Sequence, residues 1–337
     1  MLLKIAGTQP KPFTALLAGD VGATKTDLAI FDWTENGLQT RKEGSCKTKA
    51  YPDISALLHD FVANEKMPAG ICLGVAGPVQ GGRADLTNLG WQVEQEALSR
   101  QFNQAPVRLV NDLEATAYGL ALLDEQDVFV IHEGDRFPTG NAAIIAPGTG
   151  LGEAGLFFDG EGYHPFASEG GHVDFVPRTD IDLEIFSFLK KKFGHVSQER
   201  VLSGPGICVL YDFLRQKKDR EEPAWLKEKL LAHDKATVIS QNATECEICR
   251  ETMELFLRYL AVESANLVLK LKATGGLFIA GGIVPHLLSF LDKDIFLKWF
   301  RNAGRLKGLL QQVPVKVLVA KKTALLGAAF YGFRHSS

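Results

Sequence analysis

The stretch Ala15-Leu-Leu-Ala-Gly-Asp-Val-Gly-Ala-Thr-Lys-Thr-Asp-Leu-Ala-Ile-Phe-Asp32 decides the fold. An apolar run enters a turn of glycine, threonine and lysine, and a second apolar run leaves it and ends on an aspartate. That is the pattern of a β-hairpin with a short polar connection. A rival reading is close at hand: Gly19-Asp-Val-Gly-Ala-Thr-Lys-Thr26 approaches the phosphate-loop spacing G-x-x-x-x-G-K-[ST]. Thr24 stands in place of the second glycine, however, and such a loop must open a helix. The chain continues instead as Asp27-Leu-Ala-Ile-Phe-Asp32, a strand pattern, so the hairpin is preferred.

The same plan returns at Ala143-Ile-Ile-Ala-Pro-Gly-Thr-Gly-Leu-Gly-Glu-Ala-Gly-Leu-Phe-Phe-Asp159. Gly150, Gly152 and Gly155 match the dinucleotide fingerprint letter for letter, yet Leu156-Phe157-Phe158 and the Asp159-Gly160 turn replace the helix which that fingerprint requires. Two such units fit a duplicated α/β domain with one glycine turn in each half. Residues 70–75, 107–110, 142–146, 155–158, 277–280 and 315–319 also read as strands. Residues 181–193 read as an amphipathic helix, with Thr179 or Asp180 to start it and Gly194 to stop it, and 251–271 as a second long helix. The segment 215–235, dense in both charge signs and interrupted by Pro223, reads as a solvated helix-loop-helix surface. The best domain boundary falls in the turn-rich region 123–141.

Composition narrows the function classes. A chain of 337 residues corresponds to about two domains. A net charge of −3 supplies no basic field for nucleic acid or an anionic membrane, so neither is an expected partner. No apolar run is long enough to span a bilayer; residues 275–291 come nearest and are broken by Gly281, Gly282, Pro285 and His286. The first 13 residues lack a signal-peptide pattern, and five cysteines, an odd number, favour a reducing compartment. A cytoplasmic location is expected.

Several residues carry chemistry. Consecutive amides in the two turns, at Gly19, Gly22 and Thr24 and at Gly148, Thr149 and Gly150, form the kind of nest that binds phosphate, with the threonine hydroxyls as extra donors. An aspartate beside phosphates needs a cation between them, and Mg²⁺ reached through water suits Asp20. Asn111-Asp112 follows strand 107–110 directly, where α/β sheets place ligands, but both types are equally good helix N-caps. Glu169 and His172 flank Gly170-Gly171 and offer an acceptor beside a switchable donor; a metal site with Asp174 as third ligand is the rival. Glu199 alone reads as a surface carboxylate near Arg200 or Lys192, and Asn88 as a weaker polar candidate. Cys246 and Cys249 have no second pair or nearby histidine to complete a zinc site, and read as free thiols on a helix.

Taken together and in order, the hairpin at 20–26, Leu109-Val-Asn-Asp-Leu-Glu-Ala-Thr116, Gly148-Thr-Gly-Leu-Gly152, Ser168-Glu-Gly-Gly-His-Val-Asp174, His195-Val-Ser-Gln-Glu-Arg-Val-Leu-Ser-Gly-Pro-Gly206 and Gly276-Leu-Phe-Ile-Ala-Gly-Gly-Ile-Val-Pro285 resemble the bacterial glucokinase family, within the sugar kinase and actin-like ATPase superfamily. The resemblance runs from about residue 15 to 331. It implies two actin-like, ribonuclease H-like α/β domains around a deep cleft: residues 1–122 with a returning C-terminal segment, 322–337, and residues 123–321. It implies ATP and Mg²⁺, glucose phosphorylated at its 6-hydroxyl, and a homodimer. Asp112 becomes the expected general base, Asn88, Asn111, Glu169, His172 and Glu199 the sugar ligands, and Gly281-Gly282 the surface for adenine and ribose. The related ROK kinases carry a cysteine-rich zinc motif that 170–206 lacks. Lys25 stands where these glucokinases commonly have Asn, and Ala23 where Gly is common, neither endangering ATP binding; Pro147 and Glu153 beside the second turn carry no predicted effect. The alternatives are a kinase for another hexose, or a sugar-sensing regulator, for which the few residues before Ala15 offer no helix-turn-helix.

Overall fold

A computed structural model describes residues 1–7, 9–135, 139–217 and 221–335. Part of the expected boundary region (136–138) and part of the charged segment (218–220) lie outside the described residues. The chain forms two compact units, Met1–Asp127 with Leu156–Ala167 and Ala320–Ser337, and Val128–Gly155 with Ser168–Val319. The divisions expected near residues 123 and 322 would put 156–167 in the second unit, whereas that segment joins the first. The N-terminal arm accounts for that segment: Tyr163 donates its amide to the Lys4 carbonyl at 2.9 Å and accepts the Ala6 amide at 2.9 Å.

In the first unit, β1 (Phe13–Val21), β2 (Lys25–Thr34), β3 (Gly37–Lys47), β4 (Gly70–Val75) and β8 (Val107–Asn111) form a sheet in the order β3-β2-β1-β4-β8. Strands β1, β2 and β3 pair antiparallel, whereas β4 runs parallel to both β1 and β8. Every residue of β4 is buried, as a central parallel strand requires. Side-chain alternation along β1 splits the core in two. Leu17 and Val21 join a cluster with Leu57 and Leu58 of helix α1 (Ile54–Val62) and Leu98 of α2 (Gln95–Gln101). Leu16 and Ala18 join Ala115 of α3 (Asp112–Gly119) and Leu325, Ala328 and Phe333 near the C-terminus. Asp20 shares the parity of Leu16 and Ala18, so it emerges on the face that α3 covers. A small third sheet holds β5 (Val79–Gln80), β6 (Arg83–Leu86) and β7 (Trp91–Glu94).

The second sheet takes β9 (Val128–His132), β10 (Ala142–Pro147), β11 (Leu151–Phe158), β12 (Tyr163–Ser168), β13 (Gly276–Ile279) and β14 (Val315–Leu318) in the order β12-β11-β10-β13-β14-β9. Its first five strands repeat the order of the first sheet: third, second, first, fourth, fifth. The two-part echo in the sequence is therefore a repeat of topology. Around this sheet lie α4 (Asp180–Phe193), α5 (Gly204–Lys217), α6 (Ala224–Ala232), α7 (Lys235–Gln241), α8 (Glu247–Leu271), α9 (Lys293–Phe300) and α10 (Lys307–Leu310). Thr179 occupies the N-cap of α4 and Gly194 ends it. Helix α8 begins four residues before its expected start at Glu251. The charged segment becomes the end of α5 and all of α6.

The last helix, α11 (Thr323–His335), packs on α3, β1 and β4 of the first unit. Its contact with α3 is backbone to backbone: a Cβ at Gly327 would collide with the Ala115 carbonyl oxygen, and one at Gly119 with that of Thr323. The Ala- and Gly-rich composition of this segment is thus a packing requirement.

Candidate active site

The first unit contributes the β1–β2 hairpin and the end of β8. The hairpin is closed by the Gly22 amide donating to the Lys25 carbonyl at 3.1 Å, so that amide is spent on the turn itself. Thr24 is exposed at the tip. Gly19 lies inside the ladder, where an added Cβ would stand 2.8 Å from both Leu28 and Leu73; its small size serves packing. A residue that sequence reasoning missed braces the turn. The buried Thr48 donates its hydroxyl to the Gly22 carbonyl at 2.7 Å and its amide to the Thr24 carbonyl at 3.2 Å, and shares a 2.8 Å hydrogen bond with Thr26.

Asp20 is the electrostatic centre of this half. Burial raises its pKa to about 7, with Asp112 and then Asp27 adding repulsion and Lys25 opposing it. The coupling places the Asp20 and Asp112 carboxylates within each other's field, although they are 92 positions apart in sequence. Asp27 is itself paired with Lys25 at 2.9 Å. Asp112 is the first residue of α3, and its Oδ1 accepts the Leu113 amide at 2.9 Å. Asn111 takes the N-cap: Oδ1 accepts the Leu113 and Glu114 amides at 3.0 and 3.2 Å, and Nδ2 donates to the Gly77 carbonyl at 3.1 Å. The cap uses the carbonyl of that side chain, and the bond to Gly77 uses one of its two amide hydrogens. Asn88 is exposed in the turn between β6 and β7.

In the second unit, Gly148, Gly150, Glu199 and Gly281 are tied by a chain of contacts. The Gly148 amide donates to the Gly150 carbonyl at 2.8 Å, and the Gly148 carbonyl accepts the Gly204 amide, at the start of α5, at 2.9 Å. Thr149 is exposed between them. Glu199 lies against this turn: its Oε2 accepts the Leu151 amide at 3.0 Å and would be 2.6 Å from a Cβ at Gly150. Gly281, at a φ of 84°, presses on the Pro147 carbonyl in a way only glycine permits, whereas Gly282 faces open space. Glu169 and His172 are both more than half exposed, with their side chains 3.9 Å apart. Asp174, the third ligand of the rival metal reading, pairs instead with His195 at 2.9 Å. Among the described residues no group of three or more His, Cys, Asp or Glu side chains is arranged to hold a metal ion.

The glucokinase family model matches residues 17–335. The chain belongs to the glucokinase family. The glucokinase of Synechocystis sp. (strain PCC 6803) is 37% identical over 341 residues, covering 93% of this chain and 96% of that protein. A glucokinase crystal structure from an Antarctic psychrotroph has a TM-score of 0.79 at 31% identity, over 96% of this chain and 99% of that one. The glucokinase of Balamuthia mandrillaris, crystallised with glucose, has a TM-score of 0.80 over 95% and 94% of the two chains; at 22% identity this is a likeness of fold.

Glu153 is a further buried acid, below the 168–172 loop. It is 1% exposed, on β11, and Gly170 packs directly onto its carboxyl group. Cys246 and Cys249 are both buried free thiols, at the N-cap and within α8.

Proposed function

We propose that this chain transfers the γ-phosphoryl group of ATP to the 6-hydroxyl of glucose. The observation that carries the reading is the Asp20–Asp112 pairing: a glycine hairpin and a strand-end carboxylate in one field, in a chain of the glucokinase family. Asp112 accepts the proton of the attacking hydroxyl as the new oxygen–phosphorus bond forms and the bond from the γ-phosphorus to the bridging oxygen breaks, releasing ADP. The Thr149 and Gly150 amides, with the Thr149 and Thr24 hydroxyls, hold phosphate oxygens, the Gly148 amide being spent on the Gly150 carbonyl. Asn111, Glu169, His172 and Glu199, with Asn88 at the margin, orient the sugar, and the Gly281-Gly282 turn receives adenine and ribose. A site that pairs each hydroxyl rejects analogues lacking one, because a buried partner is then left unmatched.

Mg²⁺ fits the first half. Asp20, crowded by Asp112 and Asp27, gains from a nearby cation, and the lack of a full protein cage among the described residues suits an ion held mainly by phosphates and water. When bound, it neutralises charge on the β- and γ-phosphates. The five free cysteines support a cytoplasmic setting. The homodimer rests on family likeness, and light scattering measures it.

The decisive experiment is an ATP-dependent phosphorylation assay across a hexose panel, with the product identified by mass spectrometry and NMR. Glucose 6-phosphate as the preferred product is expected; a preference for another hexose would redirect the assignment.

Asp20 yields a separate expectation. With its pKa raised in the folded state, the native protein binds more protons than the unfolded chain between about pH 4 and pH 7, so stability falls as pH rises through that window. Asp20→Asn removes that fall and stabilises the ligand-free protein at about pH 8 by about 2–4 kcal/mol, while weakening ATP-dependent turnover. Denaturant unfolding of both proteins at the two ends of the window checks the first part, and steady-state kinetics the second.

A further inference from the structure

Beneath the Glu169–His172 loop lies a pair of acids that the reaction does not use. Glu153 and Glu263 are 1% and 0% exposed, and their carboxyl groups are near enough to hydrogen-bond when one proton is held between them. Glu263, on the apolar face of α8, also accepts from Asn266 Nδ2 at 2.8 Å and Lys270 Nζ at 3.1 Å. Among the described residues, Glu153 Oε1 has no hydrogen-bond partner of its own. The loop rests on Glu153 at two points: Ser168 Oγ donates to its carbonyl at 2.8 Å, and Gly170 lies on its carboxyl group so closely that a Cβ would collide. Gly171 sits equally close on the Leu151 carbonyl, one residue after Gly150.

We propose that the Glu153–Glu263 pair, closed by one shared proton, is a positioning element that holds the 168–172 loop in its sugar-binding shape. This rests on the reading of Glu169 and His172 as sugar ligands. Two ionised carboxylates cannot share this dry space, so losing the proton drives them apart and lifts Gly170 with them. Burial, then Glu263, push the Glu153 carboxyl up to about 8, against the pull of Lys270. The protonated pair thus prevails at neutral pH and opens on the alkaline side. The charged groups acting on Glu153 are Glu263 and Lys270 of α8; Glu169 and His172, on the loop above, are present in every protein compared and cancel.

The test compares the full-length parent with Glu153→Gln and Glu263→Gln at about pH 7 and about pH 9. An amide keeps a donor to the remaining carboxylate without titrating. With about a tenth of parent molecules holding the closed pair at the higher pH, the parent's KM for glucose rises about tenfold, while kcat and the KM for ATP move less. In both variants the KM for glucose lacks this tenfold rise. Hydrogen–deuterium exchange of amides 168–172, corrected for intrinsic rates, should quicken at high pH in the parent alone. Equal pH slopes in KM and exchange for parent and variants would overturn the proposal. Exchange does not depend on turnover, so a parent that fails to phosphorylate glucose sinks the functional reading while the exchange comparison still judges the pair.

Discussion

Replacing Asp112 by alanine should lower kcat by about 10²–10⁴, the usual loss for a general base, with the KM for glucose changed far less. The geometry isolates this effect from folding. Asn111, not Asp112, holds the N-cap of α3, and its Oδ1 accepts the Leu113 and Glu114 amides on its own. The helix is pinned further by the backbone contacts of Gly119 and Gly327 with Thr323 and Ala115. Circular dichroism and the unfolding midpoint should therefore stay near those of the parent. Asp112→Asn, which keeps the shape and removes the proton acceptor, should fall as far. Both changes also remove the second-largest cause of the raised Asp20 pKa, so the stability–pH profile below about pH 7 should flatten as turnover collapses. A kcat near the parent's in either variant removes Asp112 from the proton transfer.

Local features of this chain were legible because each is written in adjacent residues. The β1–β2 hairpin follows from two apolar runs around a glycine turn, α4 from its apolar periodicity and its Thr179 and Gly194 ends, and β4 from unbroken apolarity at 70–75. Strands β3, β5, β6 and β7 lack such marks, whereas β9, an apolar run inside the region read as a turn-rich boundary, and β12 go unread despite their apolar residues. The burial pattern of β3 is exposed and half-exposed throughout, because hydrogen bonds to β2 make it a strand while only Leu38 and Cys46 reach the cores. Strands β5, β6 and β7 are two to four residues long. Position 153 is the converse case: an acid inside an apolar run signals either exposure or a buried partner, and the partner, Glu263, is more than a hundred residues away. Thr48 carries no local signal, since its role depends on a turn that ends more than twenty residues earlier. Segment 156–167 was unreadable as part of the first unit for the same reason: its partner is the arm at 4–6.

Glu199→Ala should be the most damaging change in the second unit, lowering kcat/KM by about 10²–10⁴. From sequence alone Glu199 is a surface carboxylate; by resemblance it is a sugar ligand. The structure adds a third task, since Oε2 accepts the Leu151 amide and abuts Gly150, the last residue of the 148–150 turn. Truncation leaves the Leu151 amide unpaired at about 1–3 kcal/mol and opens space beside the turn; loss of a charged acceptor for a sugar hydroxyl costs about 1.5–3 kcal/mol more. Those two losses together give the stated range. The kinetic signature separates the roles. A residue that only grips sugar would raise the KM for glucose and leave ATP untouched, whereas a brace of the 148–150 turn must also raise the KM for ATP or lower kcat. Glu199→Gln provides the control: its side-chain carbonyl still accepts the Leu151 amide, so the ATP terms recover while a charge-dependent part of glucose binding stays lost. An unchanged KM for ATP and an unchanged kcat in the alanine variant at saturating glucose would show that the carboxylate does not steady the turn.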